Sequence, residues 1–154
     1  MKISKDFEEL LASFTARGVR ALIVGGYAFA FHARPRNTKD LDLWIEPTAE
    51  NVERLLLALD DFGFGNVGLT ADDFLTPRRF VQLGFPPQRI DLLTSLKGVT
   101  FEEAWNGRVE DLFGSQKVCY IGKEELIRNK QAVGRPQDKA DVSVLKPSTT
   151  KRKK

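Results

Sequence analysis

The 154-residue sequence predicts an α+β fold, a single domain with helices packed on a β-sheet. Three observations carry that expectation. A chain of about 150 residues is near the usual size of one domain and can bury roughly two-thirds of its unfolded surface. Hydrophobic residues at 42% and charged residues at 29% are ordinary values for a globular protein, which excludes global disorder and collagen-like classes. Apolar positions repeat with helical spacing in some segments and alternate or run together over strand lengths in others.

Phe7, Leu10, Leu11 and Phe14 fall at i, i+3, i+4 and i+7, so a first helix is expected over 4–17, capped by Ser4, stopped by Gly18 and packed on the sheet. Ala21-Leu22-Ile23-Val24 reads as a buried strand that turns sharply at Gly25-Gly26. Tyr27 to Ala33 reads as a short helix closed before Pro35. Leu41 to Glu46 alternates, with Leu41, Leu43 and Ile45 on one face and Asp40, Asp42 and Trp44 on the other. Thr48 suits the cap of a third helix carrying Val52, Leu55, Leu56 and Leu59, which the stretch FGFGNVG ends. Phe62 and Phe64 are expected to pack beneath a loop there.

Phe80 to Phe85 and Arg89 to Thr94 read as two strands joined by Pro86-Pro87-Gln88, a hairpin-like connection. Thr100-Phe101-Glu102-Glu103 has the form of a capping box and opens a short helix. Residues 108–121 offer one or two short strands, with Lys117 to Ile121 the better candidate. Glu124 to Val133 reads as a helix closed by Gly134, and Pro136 stands where a last helix over 136–145 begins.

The formal net charge of +3 is unevenly placed. Lys146, Lys151, Arg152, Lys153 and Lys154 follow the last acid, Asp141, so residues 1–145 carry 19 positive and 21 negative side chains. The expected organisation is a domain over 1–145 and a basic, disordered tail over 146–154. The basic pI therefore reports a short terminal run, which is a solubilising tail or a non-specific phosphate contact, and gives no general argument for nucleic-acid binding. No apolar run approaches the ~20 residues that span a bilayer, and MKISKDFEEL lacks a signal-peptide apolar region, so a cytoplasmic protein without membrane contact is expected. Cys119 and His32 are the only residues of their types, which excludes an internal disulfide and a Cys/His zinc cluster. A metal would have to be held mainly by carboxylates.

Three carboxylates on expected strands supply that possibility. Asp40 and Asp42 project from one face of their strand, about 6 to 7 Å apart, and Asp91 would join them if its strand lies alongside. Converging acids repel and call for a cation, and an all-oxygen set suits Mg²⁺. The alternative is an exposed edge strand, with Asp91 paired to a base such as Arg89. Gly25-Gly26 upstream shifts the balance, because two glycines between a strand and a helix let a phosphate approach the free N–H groups of the helix.

In this order the motifs resemble the nucleotidyltransferase superfamily that includes DNA polymerase beta, kanamycin nucleotidyltransferase and the minimal bacterial nucleotidyltransferases. LIVGGYAFAFHARPRNTKDLDLWIE is similar to its glycine-pair and Asp-x-Asp signature, and RIDLL to its third-acid strand. The resemblance implies a mixed sheet in one compact domain. It also implies an enzyme that transfers NMP from an NTP to a hydroxyl on RNA, protein or a small molecule. Asp40 and Asp42 would hold two Mg²⁺ ions, Asp91 would share a metal and help deprotonate the acceptor, and Gly25 and Gly26 would contact phosphate. Many relatives place Ser after the first glycine where this chain has Gly26, so a hydroxyl ligand to phosphate is missing.

Lys130 and Arg135 in KQAVGR, followed by Asp138 and Asp141, are similar to later motifs of abortive-infection and related toxin nucleotidyltransferases. That implies nucleotide binding by Lys130 and Arg135, and a cognate toxin or antitoxin or a role in phage defence. Ordinary helix-end charges are the other reading. Arg34, Arg36 and Lys39 could face the nucleotide or an RNA acceptor, or form a solvated loop. His32 is expected to be packed or at the surface, and Trp44 to pack at a strand end or stack a base. A dehalogenase-type phosphatase needs Thr or Ser where Trp44 stands, and the glycines do not form G-x-G-x-x-G. The rival from another class is a nucleotidyltransferase-like fold used as a binding or regulatory module.

Overall fold

The computed structural model describes residues 4–65, 67–76, 80–85 and 88–146. In chain order the elements are α1 (Lys5–Arg17), β1 (Ala21–Val24), α2 (Gly25–His32), β2 (Asp40–Ile45), α3 (Ala49–Phe62), α4 (Asp72–Leu75) and β3 (Phe80–Phe85). They continue with β4 (Gln88–Leu93), α5 (Phe101–Asn106), β5 (Val109–Phe113), β6 (Gln116–Tyr120), α6 (Lys123–Val133) and α7 (Pro136–Leu145). The sheet order is β3-β4-β2-β1-β6-β5. β1 runs antiparallel to β2 and parallel to β6, β2 and β4 are parallel, and β3-β4 and β5-β6 are antiparallel hairpins.

Local chemistry places the ends of these elements. Ser4 accepts from the Asp6 amide and Thr48 from the Asn51 amide, while Gly18, Gly63 and Gly134 close α1, α3 and α6 in the left-handed conformation. Thr100 and Glu103 form the expected reciprocal capping box. Pro136 opens α7 at its first position. Buried Asn51 ties the start of β1 to the end of β2: it accepts from the Arg20 amide at 2.7 Å and donates to the Arg20 and Glu46 carbonyls at 3.0 and 2.9 Å.

Each sheet face has its own core. One joins Phe7, Leu10, Leu11 and Phe14 of α1 to Val52, Leu55 and Leu59 of α3 over Ile23, Leu43 and Ile45, with Phe62 and Phe64 packed at its margin. The other gathers Leu22, Val24, Trp44 and Phe29 under α5, α6 and α7. Trp44 is 1% exposed and meets Phe101 edge-on at 5.3 Å, so it belongs to this core and presents no ring at a rim.

Several boundaries differ from the sequence expectation. α2 begins at Gly25 instead of Tyr27, because the chain bends at Gly25 itself and Gly26 is already in the first helical turn. β2 and β4 each begin a residue earlier, at Asp40, which pairs with Arg89 of β4, and at Gln88, which pairs with Phe85 of β3. Residues 109–120 form a complete hairpin. The short α4, with the Thr70 amide donating to Asp73 at 2.8 Å, lies in a stretch without a clear periodic pattern. The basic run Lys151–Lys154 and Pro86-Pro87 lie outside the described residues.

Candidate active site

The site is built where β1 ends. β2 lies directly beside β1, with Val24 opposite Asp42, so the Asp-x-Asp strand is central in the sheet and is not an edge. β4 lies on its other side in parallel register, placing Asp91 opposite Asp42 and Arg89 opposite Asp40. Gly25 turns the chain from β1 into α2 with φ +68, and a Cβ there would collide with Asp42 Oδ2 and stand 3.0 Å from its Cγ. This glycine therefore serves twice. It adopts a conformation unfavourable to other residues, and it leaves room for the carboxylate to reach the start of the helix.

Electrostatics sets the site apart. Burial pushes the Asp42 carboxyl up to about 7, assisted by its hydrogen bond with Asp91 and by the charges of Asp91 and Asp40. Asp91 Oδ1 accepts from Gln82 Nε2 at 2.9 Å, and Arg89 Nη1 donates to Gln82 Oε1 at 3.4 Å. Arg89 Nε stands 3.9 Å from Asp40 Oδ1, so its base meets Asp40, and Gln82 meets Asp91. Among the described residues no group of three or more His, Cys, Asp and Glu side chains is gathered as a formed metal cage. The expected three-acid cluster is thus partly assembled: Asp42 and Asp91 touch, and Asp40 stands against Arg89. Asp42 and Asp91 share a proton in this contact, and a cation could take its place. The donors are all carboxylate oxygens, a set that fits a divalent cation.

Protein-family models give no match to this sequence, and neither do the curated proteins. Solved structures do. The fold is similar to that of the lincosamide antibiotic adenylyltransferase LnuA bound to lincomycin, with TM-score 0.54 and 13% identity over 95% of this chain and 98% of that one. It is also similar to ANT(2")-Ia in complex with adenylyl-2"-tobramycin, with TM-score 0.55 and 14% identity over 90% and 84% of the two chains. A nucleotidyltransferase-like antigen from Paracoccidioides brasiliensis gives 0.54 and 17% over 93% and 77%. The chain has the nucleotidyltransferase fold.

In this nucleotidyltransferase fold Lys130 and Arg135 are placed in a second cluster. Lys130 is 8% exposed, and its Nζ stands 2.8 Å from Asp141 Oδ2 and 3.7 Å from Asp138 Oδ1. Asp141 also accepts from both terminal nitrogens of Arg36, at 3.0 and 2.5 Å, and from Gln137 at 2.8 Å. Burial works to raise the Asp141 pKa, but the hydrogen bonds from Arg36, Lys130 and Gln137 outweigh it and hold the carboxyl well below the usual range. The Arg36 guanidinium lies 3.8 Å over the Phe29 ring. Arg135 donates from Nε to Asp138 at 2.8 Å while its side chain stays 73% exposed.

Loop residues Arg34 and Lys39 are exposed, whereas Arg36 is half-buried and paired with Asp141. His32 is packed, with Nε2 donating to the Ile121 carbonyl at 2.6 Å, and burial lowers its pKa. Sequence reasoning passed over Gln82, which holds Asp91. Gln82 could have been found by counting the β3-β4 hairpin register, which sets it opposite Asp91. The Arg36–Asp141 pair joins residues 105 apart and has no local signal.

Proposed function

We propose that this protein transfers a nucleoside monophosphate from a nucleoside triphosphate to a hydroxyl acceptor, at the site formed by Asp40, Asp42 and Asp91 beside Gly25 and Gly26. The observation that carries the reading is the contact of Asp42, whose pKa burial and neighbouring acids raise, with both Asp91 and the glycine turn. In the reaction the acceptor oxygen bonds to the α-phosphorus, the bond to the bridging oxygen breaks, and pyrophosphate leaves. Asp91, held by Gln82, takes the acceptor proton. The amides at the start of α2 bind phosphate oxygens, which only a glycine turn lets approach so closely. Asp40, Asp42 and Asp91 would hold Mg²⁺, which when bound neutralises charge on the triphosphate and the leaving group.

Of the two C-terminal cations, Arg135 has an exposed guanidinium available to a phosphate, and Lys130 holds α6 to α7 from within. The acceptor is a hydroxyl on a small molecule, an RNA or a protein; LnuA bound to lincomycin and ANT(2")-Ia in complex with adenylyl-2"-tobramycin support the small-molecule case. Among the described residues no helix is long and apolar enough to cross a membrane, and we place the activity in the cytoplasm, within a toxin–antitoxin or defence setting. A purely regulatory use of the fold would leave the adjacency of Asp42 and Asp91 without a chemical role.

The test incubates the protein with each α-labelled NTP, Mg²⁺, and cellular RNA, protein or small hydroxyl compounds. Label should move to one acceptor class, and Asp42→Asn should lower transfer on the order of a thousandfold, about 4 kcal/mol. Absence of both transfer and NTP binding overturns the enzymatic reading.

A further inference from the structure

Gly26 is a glycine for a reason other than backbone freedom. Its φ is not positive, so an L side chain would suit its conformation. What excludes one is Thr38. A Cβ at Gly26 would lie 2.8 Å from Thr38 Cγ2 and 2.9 Å from Thr38 Oγ1, but an ordinary 3.5 Å from Thr38 Cβ. The methyl and hydroxyl of Thr38 therefore fill the volume in which a side chain at position 26 would begin. We propose that Thr38 supplies the phosphate-contacting hydroxyl of this turn, delivered from the loop before β2. The inference rests on the reading of this site as a triphosphate site and names a residue that grips the substrate.

The loop presents Thr38 in a fixed position. Its carbonyl accepts from the Tyr27 hydroxyl at 3.3 Å. Two residues earlier, Arg36 is clamped to Asp141 and laid on Phe29 of α2. Two residues later, Asp40 opens β2. Thr38 thus stands between the first turn of α2 and the first of the acids. Its Oγ1 now donates to the Arg36 carbonyl at 3.2 Å, a long bond for a hydroxyl donor that a phosphate oxygen can replace. A hydroxyl here adds a donor to the helix amides without drawing the acids into a salt bridge, as a lysine would.

The experiment measures binding of ATP, GTP, CTP, UTP and inorganic tripolyphosphate, each with Mg²⁺, to the full chain by titration calorimetry, with melting curves recorded for every variant. Thr38→Val, which keeps the shape and removes the hydroxyl, should weaken both the preferred nucleotide and tripolyphosphate by about tenfold. Thr38→Ser should restore binding to within about twofold of the wild type. Gly26→Ser alone should bind poorly, because its Cβ displaces Thr38. The double variant Gly26→Ser/Thr38→Ala leaves that Cβ at van der Waals distance and offers a hydroxyl from the other side of the same space. It should bind at least about fivefold better than Thr38→Val. If Thr38→Val binds as tightly as the wild type while Asp42→Asn does not bind, the role of Thr38 is wrong and the triphosphate site stands. If the double variant is no better than Thr38→Val, the shared volume has no functional meaning and the inference fails. If the wild type binds neither nucleotide nor tripolyphosphate, both readings fall.

Discussion

Asp42 and Asp141 are both withdrawn from solvent, yet their environments drive them in opposite directions. Asp42 meets another carboxylate across paired strands, and burial with that neighbour pushes it up to about 7. Asp141, 2% exposed, is surrounded by Arg36, Lys130 and Gln137, which hold it ionised well below the usual carboxylate range. The second arrangement is electrostatically complete and joins the loop before β2 to α6 and α7. Among the described residues the first is not matched in this way: its acids find a glutamine and an arginine at 3.9 Å. A buried charge cluster that is already satisfied serves the fold, and one left in deficit is where a cation and a polyanionic substrate belong.

The contrast can be broken at its strongest point first. Asp141→Ala strands the buried Lys130 and the half-buried Arg36, and should lower the unfolding free energy by about 3 kcal/mol in denaturant titrations at pH 7. The folded pKa of Asp141 lies below its unfolded value, so its contribution is fully present above about pH 4 and lost as pH falls further. The gap between wild type and variant should therefore close in acid. A gap that persists unchanged at pH 2 contradicts the assignment.

Asp42 should show the opposite sign. Its folded pKa is raised, so the cation-free protein loses stability as pH climbs from about 4 through 7. At pH 8 Asp42→Asn should melt higher, by about 1 to 2 kcal/mol after allowance for partial solvent screening, while losing transfer. Near pH 4 the two proteins should be alike. Smallest of all, Arg135→Ala removes an ion pair between an exposed guanidinium and the buried Asp138, which keeps Lys130 at 3.7 Å and the Arg135 amide as partners, and should cost about 1 kcal/mol in thermal unfolding, an effect that salt diminishes. A loss as large as that of Asp141→Ala would place Arg135 among the structural charges.

Much of this was legible in the sequence because the signals are local. The i, i+3, i+4 spacing of Phe7, Leu10, Leu11 and Phe14, the Thr100–Glu103 box and the Gly134-Arg135-Pro136 junction each depend on neighbours within one or two turns. The alternation of β2 likewise exposed Asp40 and Asp42 as charges on a strand. The convergence of Asp91 became visible only with β2 and β4 paired in parallel. Lys130 illustrates the limit: its motif pointed to a nucleotide, but its buried partners come from α7, and Arg36 reaches the same acid from a distant loop. Thr38 was hidden for the same reason, since its relation to Gly26 is a contact in space between a helix and the next loop.

The central claim is that the acids around Asp42 await a cation. It is tested most directly by the melting temperature at pH 8 of wild type and Asp42→Asn, with and without Mg²⁺ and nucleoside triphosphate. The account predicts that the wild type starts lower and rises on addition of both ligands, while Asp42→Asn starts higher and does not respond. A wild type that ignores Mg²⁺ and nucleotide, or a variant that responds equally, would contradict it.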